Sequence, residues 1–263
     1  MLRIITSLLL LIFIGCKSEE SKGFFNNHKT HRTFYENGKI KTIGQFNDNN
    51  QPIGNWFYYD STGILRKTVE YFLINGESYL NQEWNFTKLG DTIKDRGTYF
   101  ELDLLSDTIT LNEPVRAKVD LTSPFFKQES SSIYVIVPKD YSKNFNEDFS
   151  NLQEVDLDTT FNLNIELEMR KDIGLSPNTD FRRTAVFGRY YQTVGIKKFR
   201  GIIVEEFQIE ESLFDSISPD FYKKYGALLD HEIADTSSRD SLKINNILMH
   251  KYFERDLMVL DSL

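Results

Sequence analysis

Between Thr33 and Phe100 the chain repeats a pattern that only short antiparallel hairpins satisfy. One copy reads Phe34-Tyr35-Glu36-Asn37-Gly38-Lys39-Ile40-Lys41 and runs on to Phe46; the next reads Tyr58-Tyr59-Asp60-Ser61-Thr62-Gly63-Ile64-Leu65-Arg66 and runs on to Tyr71. Gly38 falls on Gly63, Ile40 on Leu65, Lys41 on Arg66 and Phe46 on Tyr71. A looser third copy starts at Trp84-Asn85-Phe86, turns at Leu89-Gly90-Asp91, and sets Trp84 against Trp56. Asn37-Gly38 predicts a tight turn with both residues at positive φ, and Gly63 and Gly90 predict longer turns. Further turns are expected near Asn49-Asn50-Gln51-Pro52 and at Asn75-Gly76. Aromatic residues at alternate positions give a period of two, so each copy is a pair of strands and the whole is an antiparallel β-meander.

These hairpins resemble the MORN-type family, in the bacterial variant with Tyr-x-x-Asn-Gly-x-Ile/Leu-Lys repeats. The resemblance covers residues 33–100 and implies architecture more than activity. Antitoxin members of that family need a cytoplasmic partner, a role that an exported chain does not fit.

From about Glu101 the pattern lengthens. Val115, Ala117, Val119 and Leu121 alternate with Arg116, Lys118 and Asp120, and Phe161, Leu163, Ile165, Leu167 and Met169 alternate with polar residues. Strict alternation predicts strands with one face on a core and one in water. Ile133-Tyr134-Val135-Ile136-Val137 is apolar on both faces and predicts a central strand. Further strands are expected at Thr184–Thr193, Phe199–Ile209 and Ile247–Val259, with a first edge strand at Asp107–Leu111. About seven such strands predict an immunoglobulin-like β-sandwich over 101–263. Phe221, Tyr222, Tyr225, Leu228 and Leu229, after Ser218-Pro219-Asp220, have helical spacing and predict a short helical insertion that covers core. The fold class expected is therefore all-β: a meander, then a sandwich.

The N-terminus reads Met1-Leu2-Arg3, then an apolar run from Ile4 to Ile14 broken by Thr6 and Ser7, then Gly15-Cys16. A positive start, a short apolar stretch and a small residue form a signal peptide, and the run falls short of the ~20 residues that span a bilayer. Phe13-Ile14-Gly15-Cys16 resembles the lipobox of bacterial lipoproteins, with Phe13 where Leu is usual. The resemblance implies cleavage before Cys16 and lipid on its thiol. Two or three acyl chains anchor a protein stably where one does not. Residues 1–15 are then the signal peptide and 16–32 a polar tether. Lys17-Ser18-Glu19-Glu20 resembles the acidic export signal of Bacteroidota surface lipoproteins, which implies the outer face of the outer membrane, with the periplasmic face as the alternative. Cys16 is the only cysteine, so both β regions must hold without an internal disulfide.

A formal net charge of −8 opposes binding to nucleic acid. No nucleophile elbow, Walker or dinucleotide motif occurs, and no cofactor is implied. His28 and His31 lack the further ligands that zinc requires, and His231 lies between Asp230 and Glu232 as a surface histidine would. Glu205 and Glu206 point to opposite faces of a strand and cannot act as a carboxylate pair across a cleft; solvated sheet faces account for them. Neither catalytic nor metal-binding residues are assigned. Trp56, Tyr58 and Tyr59 are candidate binding residues, because exposed rings stack on sugars or anchor a protein partner; the alternative is that they cover the hairpin cores. Seven Asp-Ser/Thr tripeptides, from Asp60-Ser61-Thr62 to Asp261-Ser262-Leu263, resemble the O-glycosylation acceptor of Bacteroidota exported proteins. The function expected is a membrane-anchored, non-enzymatic binding or structural platform at the cell envelope, for protein or glycan contact or as a subunit of an outer-membrane assembly. Its rival is a hydrolase with a site between the two β regions, which a buried cleft of converging carboxylates would favour.

Overall fold

A computed structural model describes residues 29–127, 131–171, 175–210 and 244–261. The strands are β1 (Lys29–Phe34), β2 (Ile40–Phe46), β3 (Pro52–Tyr59), β4 (Leu65–Ile74), β5 (Glu77–Phe86), β6 (Thr92–Leu104) and β7 (Thr108–Thr110). They continue with β8 (Val115–Ser123), β9 (Ser132–Pro138), β10 (Leu157–Phe161), β11 (Thr184–Arg189), β12 (Gly195–Glu210) and β13 (Ile244–Leu260). The chain is all-β, as its alternation predicts. Among the described residues one sheet has eight strands in the order β1-β2-β3-β4-β5-β6-β8-β11; the other has five, in the order β10-β9-β12-β13-β7. Among the described residues no helix is long and apolar enough to cross a membrane. Cys16 and the expected helical insertion lie outside the described residues.

The repeat turns share one geometry, and it differs from the tight turn expected at Asn37-Gly38. Tyr35 N–H donates to Lys39 O and Gly38 N–H to Tyr35 O, and the same pair of bonds closes Asn47–Gln51, Asp60–Ile64 and Thr87–Asp91. Positive φ falls on Gly38, Gly63 and Gly90 (77°, 89° and 93°) and on Asn50 (62°), while Asn37 has none. Each loop is thus a turn followed by one left-handed residue, the three-residue hairpin connection. The two-residue turn occurs instead at Asn75-Gly76, where both residues have positive φ (50° and 81°) between the paired Ile74 and Glu77.

β6 joins the two regions. Its first half pairs with β5 and its second half, from Tyr99 to Leu104, with β8. The meander and one layer of the sandwich are therefore a single sheet, and the boundary drawn at residue 100 falls inside a strand. Lys29–Arg32, assigned to the tether, already pair with β2.

The sandwich core lies between β6-β8-β11 and β9-β12-β13. Val115, Val119, Val135, Phe199 and Ile203 have no exposed surface, and Phe187, Phe199 and Phe253 pack ring on ring with centroids 5.4–5.9 Å apart. Each such side chain stabilises the fold by roughly 1.5–3 kcal/mol relative to exposure. A second cluster covers the opposite face of β12 and β13: Phe145, Phe149 and Val155 from the 139–156 loop pack on Ile202, Val204, Leu248 and Tyr252, with Phe72, Ile74 and Tyr79 added from the β4–β5 hairpin.

Two strand expectations change. The alternation at Phe161–Met169 ends as a strand at Phe161. Asn162 Oδ1 accepts Asn164 N–H, and the Asn162 carbonyl accepts Ile165 and Glu166 N–H, so the chain turns. Leu163 alone is fully buried, and Ile165, Leu167 and Met169 are exposed. β11 ends at Arg189 and not Thr193, because the next amide, of Tyr190, bonds the Asp140 side chain and leaves the ladder. The central strand and the first edge strand are found as expected, at β9 and β7.

Candidate functional site

Trp56 sits inside the aromatic face of the meander, 7% exposed. Its indole meets Phe46, Tyr71 and His31 at centroid distances of 4.8, 6.5 and 5.8 Å and donates through Nε1 to Gln45 O at 3.2 Å. Gly44 makes this possible: a Cβ there would collide with the indole ring. Tyr58, two residues on and half-buried, carries the Lys67 ammonium 4.9 Å over its ring. Burial, and then the neighbouring Tyr58, push the Tyr71 hydroxyl up to about 12. Tyr59 lies beyond a register shift and offers its backbone carbonyl to Tyr35 OH at 2.7 Å. The structure thus gathers Trp56 and Tyr58 into one aromatic cluster and sets Tyr59 apart. His31 belongs to that cluster through its ring contact with Phe46.

A buried carboxylate and a buried ammonium lie elsewhere, in a polar joint that the sequence does not announce. Glu205 on β12 has no exposed surface, contrary to the solvated position expected for it. Its carboxylate accepts the backbone N–H groups of Phe125 (2.7 Å) and Phe126 (2.9 Å). Lys251, on the neighbouring β13, is 1% exposed and donates to Asn81 O at 3.1 Å. Burial raises the Glu205 pKa, against the pull of Lys251 and the two amides. Burial lowers that of Lys251 to about 8, with Glu205 and Glu70 opposing the shift.

Asn81 is the extra residue of a bulge on β5, where Glu70 pairs with Gln82 and Tyr71 with Leu80. Freed from the ladder, its amide acts as a strand in miniature: Oδ1 accepts Tyr252 N–H (2.7 Å), and Nδ2 donates to Tyr252 O (2.8 Å) and to Glu70 Oε2 (2.7 Å). Tyr79 OH donates to His250 O, two residues along the same edge of β13. Gln82 donates to Glu70 Oε2 and accepts Phe100 N–H. The signal for this joint was present in the register: Lys251 stands between Met249 and Phe253 at an inward position, as Glu205 does after Ile203. A charge at an inward position must be paired or hydrogen-bonded.

Among the described residues no group of three or more His, Cys, Asp or Glu side chains could hold a metal ion. In the described Asp-Ser/Thr tripeptides the hydroxyl residues Ser61, Thr92, Thr108 and Thr159 are all exposed. No family model, curated protein or solved structure matches the chain.

Proposed function

We propose that the protein is a lipoprotein anchored through Cys16 to the outer membrane and displayed at the cell surface, where its MORN-like meander and sandwich act as a rigid, non-enzymatic platform for a protein or glycan partner. One observation carries the platform reading. Glu205 and Lys251, a buried carboxylate and a buried ammonium whose proton affinities burial perturbs, direct their hydrogen bonds to the backbones of Phe125, Phe126 and Asn81. An active site would aim such groups at a cleft; here they fasten the segment after β8 to β12, and β5 to β13. The anchor rests on the N-terminal sequence, and its test is direct. Cells expressing the full chain should incorporate labelled fatty acid into it, and Cys16→Ser should abolish the label. Protease added to intact cells should degrade the protein. Label retained in the variant sinks the anchor, and full protection from protease sinks surface display.

A further inference from the structure

Five non-glycine residues among those described have positive φ: Asn50, Asn75, Asn112, Tyr141 and Phe149. Asparagine tolerates that conformation, and Phe149 is 2% exposed, packed on Phe145 and Tyr252. Tyr141 has neither excuse. It is a bulky residue at φ 60° and is 46% exposed. It holds the third position of a tight turn, Lys139–Ser142, closed by Ser142 N–H on Lys139 O at 3.0 Å. With positive φ there, glycine or asparagine is the favoured residue.

The turn is braced from behind. Arg189, 2% exposed, donates through Nη2 to Ser142 O (2.8 Å) and Lys139 O (3.5 Å), and through Nη1 to Asn144 Oδ1 (3.0 Å). Tyr141 N–H donates to Tyr190 O, and Asp140 Oδ1 accepts Tyr190 N–H at 2.9 Å. The Tyr141 and Tyr190 rings stack with centroids 5.7 Å apart and planes at 30°. A buried guanidinium therefore holds an exposed aromatic ring beside an exposed carboxylate, in a conformation that the ring itself disfavours. Strain kept against local preference marks functional positions, and bracing of this kind lowers the cost of binding.

We propose that the Lys139–Ser142 turn is a saccharide-binding site: the apolar face of a pyranose lies on the Tyr141 ring, and the Asp140 carboxylate accepts its hydroxyls. An aromatic face beside a fixed carboxylate fits a ring that is apolar on one side and rimmed with donors. The inference rests on the platform reading and names its partner as a glycan.

The test is calorimetric titration of the full chain in detergent with maltotetraose, cellotetraose and chitotetraose. At least one should bind. Tyr141→Asn should weaken that binding roughly tenfold or more, the scale of a lost aromatic anchor, while the melting temperature holds or rises. Tyr141→Trp should retain binding. The proposal is overturned if none of the three binds, if Tyr141→Asn binds like the parent or melts lower, or if Tyr141→Trp fails to bind. Failure there leaves the platform open to a protein partner. New reducing ends in the titrated sample would instead overturn the non-enzymatic reading and leave the site in place.

Discussion

Lys251 shows how one residue changes the pH response of a whole chain. Its folded pKa of about 8 lies below the ordinary 10.5. Between those values the unfolded chain holds a proton that the folded chain has released, so stability increases as pH rises through the window. The full shift corresponds to about 3 kcal/mol. Denaturant unfolding of the parent and of Lys251→Met should therefore diverge from pH 8 to pH 10.5, the parent gaining stability that the variant does not; equal slopes would contradict a lysine whose proton affinity burial lowers. Glu205 has the opposite sign. Its pKa is raised, so stability falls as pH climbs from the ordinary 4.5 through the raised folded value. Lys251→Met removes the bond to Asn81 O, Glu205→Gln weakens the bonds to the Phe125 and Phe126 amides, and each removes the opposite charge that the other residue feels. The double variant should lose less than the sum.

At the scale of elements, the β5 bulge fastens the meander to an edge of the sandwich. β13 pairs with β12 along its length and with β7 only at Met258–Leu260, so its other edge near Tyr252 needs cover. Unpaired edges invite pairing with other chains, and the Asn81 amide occupies this one. Asn81→Ala should leave the buried N–H and C=O of Tyr252 unpaired at about 2–5 kcal/mol in total, and amide exchange at Tyr252 should accelerate while exchange in β2 stays unchanged. Unaltered protection at Tyr252 would refute the joint. The same scale shows why element limits were only partly legible. Val115–Ser123 and Ile133–Val137 announce themselves by alternation and by a continuous apolar run. Phe161–Met169 alternates equally well, yet Asn162 diverts its backbone into a turn, a local competition that periodicity does not register. Asn37-Gly38 and Asn75-Gly76 carry the same dipeptide and adopt different turns, because the residues available for pairing on either side set the loop length.

Over the whole molecule, continuity of the eight-stranded sheet through β6, together with the Asn81 and Lys251 bonds, couples the two regions. Thermal unfolding followed by calorimetry should give one transition, with aromatic signals from the Trp56 cluster and from the sandwich melting together. An earlier, separate melt of the Trp56 signal would mean that the meander is an independent unit. The strand-forming periods, the hairpin repeats and the absence of an internal disulfide are legible in the chain alone, because each depends on neighbours in the chain or on composition. Only the stacked sheets decide that β6 belongs to both regions, which backbone groups Glu205 and Lys251 bond, that Asn81 caps a distant strand edge, and that Arg189 braces the turn that carries Tyr141. Each of those depends on which backbone groups remain unpaired once the sheets are stacked, and residues as distant as Asn81 and Tyr252 meet only then.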